Sequence, residues 1–185
     1  MRNVAQNMLH KWLFYKINPG KVEIVAFAFL YHRNTAVMVF DSYIAAENGD
    51  PSGLALMSMA YDFIVPSLMT WGETASKAFS ADFDYSHDYF TEMDPPNSII
   101  GSPIGKLLWG SLGFGSWPIK QIPDEYRKLQ HSNVETLLIS GSIDFATPAE
   151  FATIELLPYL NKGNQIILSE TGHVADVWNL NWEAT

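Results

Sequence analysis

Residues 134–178 read VETLLISGSIDFATPAEFATIELLPYLNKGNQIILSETGHVADVW, and this stretch decides the fold class. Its first seven residues, VETLLIS, are an apolar run bounded by turn residues, which predicts a buried strand. Residues 141–144 predict a loop. Thr147 and Pro148 then predict the start of a helix, because threonine is a good N-cap and proline is favoured at the first helical position.

The second half of the same stretch repeats this order. Residues 165–168 (QIIL) predict a short strand, residues 170–173 a loop, and Val174 the start of another helix. Strand, helix, strand and helix in succession form a βαβα unit. Such a unit requires a parallel sheet with a right-handed crossover, so the sequence predicts the α/β class.

The chain before this unit has a different character. Helical spacing of apolar residues predicts helices over 4–15, 35–47 and from residue 52. Prolines and glycines repeatedly interrupt residues 66–125, and aromatic residues lie between them. This pattern is equally typical of a lid over a pocket and of an irregular surface layer. We therefore expect a mainly helical, lid-like region over 1–130 and a βαβα part over 131–185.

Composition excludes several classes of protein. The 185 residues are 48% hydrophobic and 17% charged, which is a globular composition and not a disordered one. The net charge of −9 would repel phosphate backbones, so we expect no nucleic-acid partner. The absence of cysteine removes disulfides, thiolate nucleophiles and zinc–thiolate sites.

The sequence also predicts no membrane span, cofactor or metal. Its most apolar run covers about ten residues, 22–31, against the roughly 20 that a span needs. No phosphate-binding glycine motif precedes a helix, which disfavours nucleotide binding. His87 and Asp88 lie among acidic residues, but their spacing matches no known metal motif. No export signal is evident, and a secreted and a cytoplasmic location both stay open.

Two residues of the βαβα unit are candidates for chemistry. Asp144 follows the first predicted strand and His173 follows the second, 29 positions later. Because the carboxyl ends of adjacent parallel strands meet at one edge of a sheet, we expect these side chains to lie together. A carboxylate that holds an imidazole in one tautomer is the base half of a hydrolytic triad.

The same residues carry a resemblance to a known family. Residues 134–178 resemble the C-terminal end of an α/β-hydrolase, and GSIDFATP (141–148) is similar to the G-x-x-D-x-x-T-P run of tripeptidyl-aminopeptidase-like and proline-iminopeptidase-like serine hydrolases. The resemblance implies that Asp144 is the triad acid and that His173, in its Gly-His pair, is the triad base. It also implies that the helical region before them is a cap.

One part of the family pattern is missing. No serine here has glycine both two positions before and two positions after it, so the chain lacks a G-x-S-x-G elbow. We therefore expect a fragment of a serine hydrolase whose nucleophile lies in an N-terminal half, on the same gene or another chain. The substrate would be a small molecule or peptide with a peptide, amide or ester bond. The acidic surface would suit the free amino terminus of an aminopeptidase substrate.

An alternative is a degenerate hydrolase-like module that binds a partner or a small apolar ligand without catalysis. The missing elbow favours this alternative, whereas the two triad-like residues argue against it. In either case, two strands and one crossover bury little apolar surface. We expect the isolated chain to be unstable or oligomeric.

Overall fold

The computed structural model describes residues 1–84, 86–112, 118, 120–174 and 176, which form a mixture of helices and short strands. The chain divides into two compact units. The first contains Met1–Phe29 and Met38–Arg127, and the second contains Leu30–Val37 and Lys128–Thr185. The division predicted at residue 130 stays a prediction; the second unit also takes in residues from far upstream.

Short and medium helices dominate the chain up to residue 127. They are α1 (Arg2–Gln6), α2 (Pro19–Phe29), α3 (Arg33–Glu47), α4 (Ser52–Ile64), α5 (Trp71–Ala81), α6 (Tyr89–Glu92), α7 (Pro103–Gly105) and α8 (Asp124–Arg127). A 3₁₀ turn, Val65–Ser67, follows α4, and a π-helical segment, Lys106–Leu112, follows α7. The helices predicted over 35–47 and from residue 52 are confirmed as α3 and α4.

The helix predicted over 4–15 is wrong beyond Gln6. The chain instead forms a hairpin of β1 (Lys11–Trp12) and β2 (Tyr15–Lys16), paired antiparallel with Leu13 in the left-handed region at φ 51°. Leu13 and Phe14, which a helix would have used as apolar contacts, are 68% and 93% exposed at the turn. Val4 and Met8 of the predicted pattern are buried, but Leu9 is 48% exposed, so the apolar positions do not share one buried face. Tertiary packing supplies most helix stability.

Among its described residues, the first unit shows two apolar clusters. In one, α2 packs on α4, and Val22 and Leu54 are completely buried. In the other, the aromatic residues of the 66–125 segment pack on one another: the rings of Phe79 and Phe83 meet edge to face at 5.5 Å, and those of Tyr89 and Trp109 stack at 5.4 Å. These aromatic side chains therefore form a small core of their own.

The second unit is built on the predicted parallel pair of strands, which is confirmed. The prediction that the first strand is buried is wrong, because Leu137 and Ile139 are more than half exposed among the described residues. Strand β3 (Thr136–Gly141) pairs with β4 (Gly163–Leu168) in a register that runs from Thr136 opposite Gly163 to Gly141 opposite Leu168. The two strands end together, so the turns that leave them start side by side. The helix predicted from Val174 lies mostly outside the described residues.

A helical segment connects the two strands. It begins as α9 (Ala149–Phe151) and continues through π and 3₁₀ turns to Tyr159. The predicted Thr147 cap is wrong: Pro148 occupies the cap position, and the Thr147 hydroxyl bonds to Asp144 instead.

The two faces of the sheet differ in their cover. The connecting segment lies on one face, where Gln165 donates to the Ala149 carbonyl at 3.1 Å. On the other face Leu137, Ile139 and Ile166 are 56%, 52% and 49% exposed. The connecting segment therefore covers only part of its face, where Ile167 is still 53% exposed, and the other face is open and apolar.

Within the described part of the chain, no single helix has both the length and the apolar character to cross a membrane. Segments 52–67 and 71–81, bent by 72° relative to each other, reach that length and composition only when they are taken together.

Candidate functional site

Asp144 lies in the turn that leaves β3, and donors surround its carboxylate. The backbone N–H groups of Ala146 and Thr147 both donate to Oδ1 at 2.9 Å, and the Thr147 hydroxyl donates to Oδ2 at 2.7 Å. This is an Asx turn, in which the aspartate side chain replaces a backbone acceptor. The side chain is only 6% exposed, so the turn fixes a nearly buried carboxylate in one orientation.

His173 lies in the turn that leaves β4, and its ring contacts this carboxylate. Nδ1 is 2.9 Å from Oδ2 of Asp144 and 3.2 Å from Oδ1. The structure thus brings together the two residues that the sequence singled out. The His173 side chain is 25% exposed, so its ring is reached from solvent although Asp144 is not.

The hydrogen bonds define which ring nitrogen carries the proton. The Thr147 hydroxyl, 3.2 Å from Nδ1, already donates its hydrogen to Asp144, so it can only accept from the ring. All the hydrogen-bond partners of Nδ1 are then acceptors, so Nδ1 carries a proton. In the neutral form of the ring the lone pair is on Nε2, which has no hydrogen-bond partner among the described residues.

The charge on Asp144 supports this arrangement. Burial is the strongest single influence on this carboxyl and raises its pKa. The hydrogen bonds from Thr147 and His173 outweigh burial, so the pKa of Asp144 lies below its ordinary value. Asp144 is therefore an anion at neutral pH, as a carboxylate that orients a histidine must be.

Glycine at position 141 allows the two turns to approach. A Cβ there would collide with the backbone carbonyl oxygens of Thr171 and Gly172. Two further bonds connect the turns: the Ile143 N–H donates to the Thr171 carbonyl at 3.1 Å, and the Glu170 N–H donates to the Ser142 hydroxyl at 2.9 Å. The last residue of β3 therefore sets how closely Asp144 approaches His173.

An aromatic residue from the upstream segment packs on the histidine. The ring of Tyr31 meets the ring of His173 edge to face, with centroids 4.9 Å apart, and it meets Phe145 in the same way at 5.1 Å. Burial, with a smaller contribution from the negative charge of Asp144, raises the pKa of the Tyr31 hydroxyl. The Tyr31 side chain that packs against the imidazole is therefore uncharged at neutral pH.

A cleft of about 500 Å³ opens beside Asp144. Apolar residues of β3, among them Leu137, Leu138 and Ile139, line it together with Asp144 and Thr147. A mostly apolar cleft with a few polar groups is a common form for a ligand site.

The described residues supply no hydroxyl for the free nitrogen. The nearby serine hydroxyls of Ser140 and Ser142 accept hydrogen bonds from Gln165 and the Glu170 N–H respectively, and neither contacts His173. The Thr147 hydroxyl lies on the Nδ1 side of the His173 ring, so it cannot give its proton to Nε2.

Among the described residues, no group of three or more histidine, aspartate or glutamate side chains is arranged to hold a metal ion. His87 makes a local ion pair, with Nδ1 3.0 Å from the Glu92 carboxylate, and both side chains are about half exposed. That contact raises the pKa of His87.

Sequence reasoning missed three contributors to the site. Thr147 was read as a helix cap, although its place three residues after Asp144 is typical of an Asx turn. Tyr31 contacts His173 from a distant part of the chain, so no local sequence pattern indicates it. Asp176 lies four residues after its partner Gly172, in a turn with no sequence motif.

Comparison of the chain with protein-family models, with curated proteins and with solved structures gives no match in any of the three. The geometry of the site is therefore the basis for its function.

Proposed function

We propose that this chain supplies the acid and the base of a serine hydrolase of the α/β-hydrolase superfamily, with Asp144 as the acid and His173 as the base. The nucleophilic serine and the remaining strands would come from a segment outside this chain. The observation that supports the proposal most directly is the 2.9 Å contact between Asp144 Oδ2 and His173 Nδ1, made by turns that leave adjacent parallel strands.

The geometry suits the acid–base steps of acyl transfer. Nε2 of His173 would accept the proton of the serine hydroxyl while its oxygen attacks the carbonyl carbon of a peptide, amide or ester. The same proton would then pass to the departing amine or alcohol, leaving an acyl-serine. Water would hydrolyse that ester by the same route, and Asp144 would stabilise the imidazolium in both steps.

The test measures turnover and serine labelling in the full-length protein. A fluorophosphonate probe should label one serine, and Asp144→Asn or His173→Ala should each lower labelling and kcat, on the order of 10⁴-fold for the aspartate change. His131→Ala is the matched control, because His131 lies in the same unit and its ring contacts Tyr159. Wild-type turnover in both site variants would overturn the proposal.

One observation favours a second candidate, a module that binds an apolar ligand without catalysis. The cleft along β3 is mostly apolar, and no described hydroxyl reaches Nε2 of His173. This candidate predicts that an apolar dye binds the full-length protein. The Leu138→Trp variant, whose larger side chain would fill the cleft, should not bind the dye. The fluorophosphonate probe should label no serine. Probe labelling that depends on His173 would exclude it.

A further inference from the structure

Asp176 is a buried carboxylate close to His173. It is 3% exposed. An isolated carboxylate in such a place is costly, so its hydrogen bonds must compensate for the loss of water. The partners of this carboxylate therefore show which arrangement it stabilises.

Those partners come from two separate segments. Oδ2 accepts from the Gly172 N–H at 2.9 Å, and both oxygens lie 3.4 Å from the Arg33 N–H. Nε2 of His32 is 3.3 Å from Oδ1. The carboxylate thus joins residues 32–33 to the residue that directly precedes His173.

The backbone of His173 takes part in the same connection. Its N–H donates to the Tyr31 carbonyl at 3.3 Å, and its carbonyl accepts from the Asp176 N–H at 2.8 Å. Gly172 has no room for a side chain here, because a Cβ would lie 2.7 Å from Oδ2 of Asp176. The peptide groups on both sides of His173 are therefore fixed relative to Asp176.

This connection also determines what lies against the imidazole ring. Holding residues 31–33 against the turn places the Tyr31 ring edge to face with His173, at 4.9 Å and 89°. The ring then has Tyr31 beside it and Asp144 at Nδ1. Rotation of the ring away from Asp144 would break both contacts.

We propose that Asp176 is a positioning residue for His173, whose buried carboxylate fixes the turn at Gly172 to the 31–33 segment so that Nδ1 stays on Asp144. The consequence for turnover rests on the proposed function, whereas the consequence for the ring does not. A purely structural role would lower the stability of the second unit and leave the tautomer of His173 unchanged.

The test follows the His173 ring by ¹H–¹⁵N correlation spectroscopy in the full-length protein, with the signals assigned from His173→Ala. Wild type should show one Nδ1-protonated tautomer. In Asp176→Ala we expect mixed tautomers and loss of the slowly exchanging Nδ1 proton. We also expect kcat to fall about 10- to 100-fold, with KM changed by less than about threefold.

Asp176→Asn keeps the shape and one acceptor, so it should recover part of the wild-type signal and serves if the alanine variant does not fold. Ser58→Ala is the matched control. Ser58 is completely buried and hydrogen-bonded in the first unit, so this change lowers stability without touching His173. In Asp176→Ala, or in Asp176→Asn only if the alanine variant does not fold, a wild-type tautomer together with a kcat within twofold of wild type would overturn the inference.

The two proposals fail in different ways. Turnover that survives His173→Ala would remove the hydrolase function, but the ring spectra would still decide the role of Asp176. Unchanged ring spectra in the Asp176 variants would remove the positioning role and leave the hydrolase test untouched.

Discussion

Thr147 shows how one hydroxyl can set the state of two other side chains. It donates to Asp144 Oδ2 at 2.7 Å and lies 3.2 Å from His173 Nδ1. A hydrogen bond to a charged acceptor contributes about 1.5–3 kcal/mol, more than a neutral pair. The hydroxyl therefore stabilises the ionised aspartate. Because its hydrogen is already donated to Asp144, it offers His173 Nδ1 only an acceptor.

Thr147→Val should raise the pKa of Asp144, because the variant keeps the shape of the side chain and removes a donor to the carboxylate. We expect kcat/KM to be lower on the order of tenfold, because a hydrogen bond to a charged acceptor at the site is lost. The measurement is a ¹³C titration of the Asp144 carboxyl. Thr153→Val is the control, since that hydroxyl bonds to Gln165 and Ala149. An unshifted Asp144 titration would contradict the expectation.

The same carboxyl predicts how stability depends on pH. Because the pKa of Asp144 is lower in the folded protein than its ordinary value of 3.8, its ionised form stabilises the fold. This contribution is complete above the ordinary value and is lost as the pH falls from there through the lower, folded pKa. Urea unfolding of wild type should show this loss, and Asp144→Asn should flatten it. Parallel curves for the two proteins would show that Asp144 does not contribute.

At the scale of elements, the end of β3 is the most constrained point of the site. Gly141→Ala should destabilise the second unit by at least about 2 kcal/mol, because its Cβ meets rigid backbone of Thr171 and Gly172. The Asp144–His173 contact should be lost with it, which the Nδ1 proton signal of His173 would report.

Gly20→Ala is the matched control for that change. Gly20 lies in α2, where a Cβ would meet only Asn18 Oδ1 at 3.5 Å, an ordinary contact. Alanine there should be neutral or stabilise by about 0.5–1 kcal/mol. Equal destabilisation by both changes in urea unfolding would contradict the close approach inferred at Gly141.

The elements also show what the sequence could predict. Both parallel strands could be found because each apolar run is short and bounded by turn residues, which favours a strand over a helix of ten or more residues. The position of Asp144 beside His173 then followed from topology, since adjacent parallel strands end at one edge. These inferences needed only residues within one crossover of each other.

Other elements could not be found in this way, for physical reasons. The spacing of residues 4–15 fits a helix, but the hairpin wins because the packing that decides between them is not local. Tyr31 and the 32–33 backbone reach the histidine turn from about 140 positions away along the chain. Contacts across that distance leave no periodic signal, so the support around His173 was invisible before the structure.

At the scale of the whole molecule, the open apolar face of the β3–β4 sheet is the feature that should determine self-association. Leu137, Ile139 and Ile166 lie exposed on a two-stranded sheet that has no further strand among the described residues. Exposed apolar strands of this kind pair with other copies. Self-association should therefore make the thermal transition of the chain depend on its concentration.

Ile139→Thr combined with Ile166→Thr should weaken that association by more than about tenfold. Burial of each isoleucine side chain in the interface would otherwise contribute about 1.5–3 kcal/mol to the free energy of association. Sedimentation over a range of concentrations measures it. Phe14→Thr is the control, since Phe14 is 93% exposed and belongs to the hairpin of the first unit. A control that weakens association equally would show that general apolar content, and not this face, drives it.

The composition of the second unit from two distant stretches has a consequence for synthesis. Residues 30–37 leave the ribosome about ninety residues before the stretch from Lys128 onward with which they share a unit. Until the turn at His173 has been synthesised, the Tyr31 carbonyl and the Arg33 N–H lack their partners in the folded protein, the His173 N–H and the Asp176 carboxylate. A nascent chain stalled before residue 128 should therefore be able to fold much of the helical unit, while the acid–base pair assembles only near the end of translation.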